Sequence, residues 1–187
     1  RAVERMRSEA EPRHVDALLK FAARAYRRPL STRESDKIVA YYQALRKQSQ
    51  LTHEEAIRDS IVSVLMSPNF CYRIDLVDHS TSTAPVRPLS QYALASRLSY
   101  FLWSSMPDQE LLQQAQAGRL RQPEVLVAQA RRLLRDPRAR GLALEFAGNW
   151  LDFRRFEEHN AVDRERFPSF NNDLREAMFQ EPVRFLE

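Results

Sequence analysis

Three ionisable side chains in this chain of 187 residues stand where chemistry could be done: Glu181, Arg97 and Asp108. Counted at about 100° per residue, Glu181 falls between Leu174, Met178 and Phe185, inside an apolar stripe. Pro182 beside it deletes the hydrogen bond to the Met178 carbonyl. A carboxylate so placed is desolvated and its pKa raised unless it is paired, which is what a general acid needs. The competing reading makes Glu181 a structural partner for an arginine or a helix end, and it is favoured because no second carboxylate stands at useful spacing. Arg97 lies on the narrow polar strip of a mostly apolar helix. It could clamp a carboxylate or phosphate through two parallel hydrogen bonds, or tie its helix to an acidic neighbour. Asp108 reads first as a helix cap.

Other chemistries find less to work with. The histidines, His14, His53, His79 and His159, are scattered through polar surroundings, and no two have the i, i+4 spacing of a metal-binding pair. No metal site is therefore expected. Cys71 is the only cysteine, which excludes an internal disulfide and any haem-attaching Cys-x-x-Cys-His, so no cofactor is expected in this chain. Flanked by Phe70 and Tyr72, it reads as a small core hydrophobe. A net charge of +4 invites a nucleic-acid reading, but 25 acidic residues are interspersed among the basic ones. The densest basic run, Arg131, Arg132, Arg135, Arg138 and Arg140, has no interleaved aromatic for base stacking and reads as a solvated face. Gly-rich phosphate loops, a Ser-His-Asp order and zinc-protease signatures are missing.

Periodicity supplies the elements that must position these residues. Gln91 to Asp108, QYALASRLSYFLWSSMPD, places Leu94, Ala95, Leu98, Phe101 and Leu102 on one helical face and Tyr92, Ser99 and Trp103 on an adjacent one. A helix apolar over most of its circumference needs cover from several sides, so residues 91–104 are expected to form a central helix. Before it, Val15, Leu18, Leu19, Ala22, Ala25 and Tyr26 predict a helix from about Arg13 to Arg28. Ser31 with Glu34, and Thr52 with Glu55, have capping-box spacing and predict two more helices.

After it, Ser105 to Asp108 brackets a helix start with Pro107 in the first turn, and Gly118 marks its stop. Pro123 opens a helix striped by Leu126, Ala130, Leu133 and Leu134. Another, from Pro137 to about Phe153, should bury Leu142, Ala143, Phe146, Trp150 and Phe153. Within it, Gly141 and Gly148 predict close approach of a neighbour, because glycine inside a helix otherwise costs roughly 1 kcal/mol. Asn171 caps a last helix with Leu174, Ala177, Met178 and Phe185 inside.

No alternating β-branched run is present. The expected fold is all-α, a bundle of about seven to eight helices in two packed modules. A three-helix module spans 12–78, a Ser/Thr/Pro linker 79–88, and a second module 89–187. The first residue is not Met, and the chain stops at Glu187 within a helical pattern, so a longer parent with the second module cut short is expected. No apolar run approaches the roughly 20 residues that span a bilayer.

Several phrases carry a family resemblance. FAARAYRRPLSTRE (21–34) with SPNFCYR (67–73) resembles the family called domain of unknown function 1595. LASRLSYFLWSSMPDQELL (94–112), AGRL (117–120), LLRDPRARGLALEFAGNWL (133–151) and FPSFNNDLREAM (167–178) resemble domain of unknown function 1592. The resemblance implies tandem domains of large planctomycete-type proteins, usually with a c-type cytochrome module elsewhere in the chain. It implies export to the periplasm or beyond, since c-type haem is attached outside the cytoplasm, and haem c only in another domain of the parent. The leading expectation is a non-catalytic helical scaffold or interaction module whose partners are other domains of the same chain or a redox partner. The alternative is an envelope enzyme acting on a polymer or carbohydrate, with Glu181, Arg97 and Asp108 at a cleft between modules.

Overall fold

The computed structural model describes residues 2–75, 88–155, 162–163 and 165–187. Among these the regular elements are all helices, without a strand, as the patterning predicts. The spatial closeness of backbone positions divides the chain into two compact units, Arg1–Tyr92 and Ala93–Glu187. Apart from Pro88, the expected linker 79–88 lies outside the described residues.

The first unit holds α1 (Ala2–Ala25), α2 (Thr32–Lys47), α3 (His53–Leu65) and the single turn α4 (Pro68–Cys71). Helix α1 begins well before the expected Arg13 and runs through Pro12. Both capping boxes form: the Ser31 hydroxyl accepts the Glu34 N–H and the Thr52 hydroxyl accepts the Glu55 N–H, while each glutamate reaches back to its cap N–H. Each cap satisfies two donors that would otherwise be orphaned. Helix α3 packs on α1 and α2 around Ala22, Ala25 and Val64, with Tyr26, Leu30 and Ile38 against them. Small side chains admit the close crossing, since Ala22, Ala56 and Ser60 are fully covered and Ser60 returns its hydroxyl to the Ala56 carbonyl. Cys71 corrects its core reading: the residue is exposed, and its thiol donates to the Leu65 carbonyl.

Leading into the second unit is α5 (Gln91–Trp103), followed by α6 (Gln109–Gln116) and α7 (Pro123–Leu134). A 3₁₀ turn (Pro137–Ala139) and a π-helical stretch (Leu142–Ala147) then continue into α8 (Gly148–Trp150), and α9 (Asn172–Leu186) closes the chain. Leu111, Leu120 and Leu133 are fully buried in the core of this unit, each worth about 1.5–3 kcal/mol of transfer free energy. Asp108, not Ser105, caps α6, so Pro107 precedes the helix instead of sitting in its first turn. Gly118 ends it in the left-handed region at φ 71°, as expected of a C-terminal glycine.

Three burial expectations are corrected. Helix α5 is covered along one side, not all round: Ala93, Ala95, Ser99, Leu102 and Trp103 are buried, whereas Phe101 is 54% exposed. In the segment after Gly141 the π-helical turns replace i→i+4 bonds by i→i+5 bonds and rotate the side-chain faces away from a 3.6-residue repeat. Ala143, Ala147 and Gly148 are buried there, while Phe146 and Trp150 face outward. In α9, Val183 is the buried residue and Phe185 is 87% exposed, so the expected inner stripe is turned. The helix passes through Pro182 without ending.

The expected close approach is found at Gly141 and not at Gly148. A Cβ on Gly141 would lie 2.6 Å from the Trp103 carbonyl oxygen, so only glycine lets this segment approach the end of α5. At Gly148 the closest neighbour would be the Arg154 Cβ at 3.4 Å, an ordinary contact.

Candidate functional site

Asp108 sits where α5, α6 and α7 of the second unit meet. As the N-cap of α6 its Oδ1 accepts the Leu111 N–H at 3.0 Å, and its two oxygens also accept from the Arg132 guanidinium at 2.7 and 3.0 Å. Burial by itself would raise the carboxyl pKa; the Arg132 bond, the Leu111 N–H and the positive charges of Arg132 and Arg138 together hold it below the usual range. Arg132 also donates to Gln129, which in turn donates to Glu110. Next to this network Arg138 lies 3.5 Å above the Trp103 ring and forms two hydrogen bonds to Asp136. Trp103 spends its indole N–H on the Leu133 carbonyl at 2.8 Å. The result is a fully satisfied junction that fixes three helix ends.

Glu181 and Arg97 lie elsewhere in their unit's fold. Glu181 is exposed on α9, in an open depression with Asp173, Glu176, Gln180 and Arg184, so the desolvation expected of it is absent. Arg97 is exposed on α5. Of the basic run, Arg132, Arg138 and Arg140 are committed to acidic side chains, Arg140 to Glu187 and also to Gln180.

On the outer side of the same unit three aromatic rings follow one another. Phe101 and Phe146 meet edge to face with centroids 5.5 Å apart, and Phe146 and Trp150 are 5.9 Å apart. Trp150 is 73% exposed. Periodicity alone hides this row, because it assigns all three rings to the core.

The first unit carries two polar clusters. Arg27 stands in the left-handed region at φ 58°, is buried, and donates to the carbonyls of Asn69, Tyr72 and Phe70, so it ties the end of α4 to the end of α1. Arg28 forms two hydrogen bonds to Glu34, at 2.9 and 2.8 Å. That bond, helped by the Ser31 N–H and hydroxyl, outweighs desolvation and pulls the Glu34 carboxyl down to about 2. Glu34 forms part of the wall of a cleft of about 640 Å³ that is also lined by Arg33, Lys37, Tyr41 and Ser63.

The second cluster joins residues far apart in sequence. His14 Nδ1 lies 2.8 Å from His53 Nε2, and His53 Nδ1 lies 2.8 Å from the Tyr42 hydroxyl. Close by, Arg46 donates to Glu11 and to the Leu51 carbonyl. Burial, and next the Glu11 charge, raise the Tyr42 pKa against the lowering effect of Arg46. A search along one helix cannot find the two imidazoles, which are 39 residues apart. The available signal is indirect: Thr52 as a cap makes His53 the first residue of α3, and α3 packs on α1.

The family described as PSD4, protein of unknown function (DUF1592), matches residues 89–187, and PSD5, protein of unknown function (DUF1595), matches residues 15–75. No curated protein and no solved structure matches the chain.

Proposed function

Since this chain belongs to the family described as PSD4, protein of unknown function (DUF1592), we propose that it is a non-catalytic helical interaction module of an exported, multidomain, c-type-cytochrome-linked protein. The exposed row Phe101, Phe146 and Trp150 carries this reading, because rings held against one another and open to solvent form a ready surface for a partner. The state of the charged candidates supports it. Asp108 is taken up by Arg132 and a helix cap, and Glu181 lies exposed on another element. An envelope enzyme acting on a polymer or carbohydrate has less to stand on, since its proposed acid lacks the apolar surroundings that would tune it.

The partner is another domain of the same parent chain, foremost its haem-bearing one, and the two modules 12–78 and 89–187 are joined by the linker 79–88. The deciding experiment titrates this chain against the haem domain of its parent and repeats the titration with Phe146→Ser/Trp150→Ser. At least tenfold weaker binding by the double variant supports the reading. Equal binding, or none by the unmodified chain, ends it.

A further inference from the structure

We propose that His14 and His53 form a binding site for a late divalent transition metal, with Cu²⁺ held most tightly. The two imidazoles meet edge to edge: their centroids are 5.0 Å apart, their planes are 20° from parallel, and 2.8 Å separates the facing nitrogens. One proton occupies the space between two ring nitrogens, and a metal ion can take its place. At metal–nitrogen distances of about 2.0–2.1 Å, two ligands in adjacent corners of a square-planar or tetragonal site lie about 2.9 Å apart, against about 3.3 Å in a tetrahedral one. The observed 2.8 Å is the spacing of an in-line hydrogen bond, so it shows that the two rings reach one another, and the metal is assigned as Cu²⁺ because Cu²⁺ heads the affinity order for nitrogen ligands.

Only His14 has to move. It is exposed, and a turn of its ring lets both lone pairs converge on one point. His53 is already oriented, because its other nitrogen is engaged by the Tyr42 hydroxyl, the arrangement in which a metal-bound imidazole donates its remaining N–H to a second group. Among the described residues no three His, Cys, Asp or Glu side chains gather around a common point, so water completes the coordination and leaves open positions.

The probe is Cu²⁺ in a non-chelating buffer, followed by electron paramagnetic resonance and by calorimetry. The expected result is one ion per chain with hyperfine structure from two imidazole nitrogens. His14→Ala is expected to weaken binding at least tenfold and to remove one nitrogen from the spectrum. Tyr42→Phe leaves both ligands but loosens His53, and a severalfold loss is expected. Replacing both His79 and His159 by Ala should leave affinity unchanged. His14 is a surface residue, so its variant keeps the fold and the test stays decisive even if His53→Ala unfolds. Unchanged affinity and spectrum in His14→Ala, or loss of the signal in the His79/His159 variant, overturns the assignment.

Discussion

The Asp108 carboxylate accepts two hydrogen bonds from the Arg132 guanidinium while the same residue caps α6, so one side chain holds the ends of two helices together. The two roles can be separated by substitution. Asn keeps the cap and loses the ion pair, whereas Ala loses both and leaves a half-buried guanidinium without its main partner. Asp108→Asn is expected to cost about 1–2 kcal/mol and Asp108→Ala about 2–4 kcal/mol in urea unfolding. Equal losses would show that the cap contributes nothing.

Glu34 gives the fold a defined sensitivity to acid. Its carboxyl titrates at about 2 in the folded chain against an ordinary 4.5, because Arg28 and then Ser31 favour the charged form. A depressed folded pKa means a contribution fully present above about 4.5 and lost as pH falls towards 2. Glu34→Gln should therefore be less stable than the unmodified chain at pH 7, by about 1–3 kcal/mol. The gap should close steadily between pH 5 and pH 2, as followed by circular dichroism melts.

Gly141 and Gly148 are expected to respond in different ways to the same change. Gly141→Ala drives a methyl into the Trp103 carbonyl, where backbone must shift, and should cost about 1–3 kcal/mol despite the better helix propensity of alanine. Gly148→Ala meets Arg154 and the Phe153 ring only at ordinary distances and should stay within about 1 kcal/mol of the unmodified chain. Denaturant midpoints of the two variants check this directly.

Cys71 should react with a thiol-specific disulfide reagent in the native state, one equivalent per chain, without denaturant. If the thiol became available only on unfolding, its exposed position would be wrong.

Much of the fold is written in local patterns that act over a few residues. Ser31 with Glu34 and Thr52 with Glu55 start helices because a hydroxyl and a carboxylate three residues on can satisfy each other's backbone donors, whatever surrounds them. Gly118 stops one because only its left-handed φ is free of steric cost, and Gly141 signals a close approach because a mid-helix glycine is otherwise unfavourable. The candidate sites were less legible. Periodicity places Glu181 in a stripe with Leu174, Met178 and Phe185 facing inward, yet all three are exposed and Val183 is buried.

By itself, the sequence determined the helices, most of their caps and the places where glycine must stand, since these follow from backbone hydrogen bonding and steric limits within one turn. Tertiary structure decided which side of each helix is covered, that π-helical turns move Phe146 and Trp150 outward, and that Arg132 reaches Asp108. It alone brought His14 to His53. Those outcomes depend on how neighbouring helices cross and on the removal of apolar surface from water, which is non-directional and leaves no spacing in the chain from which a partner 39 residues away could be read.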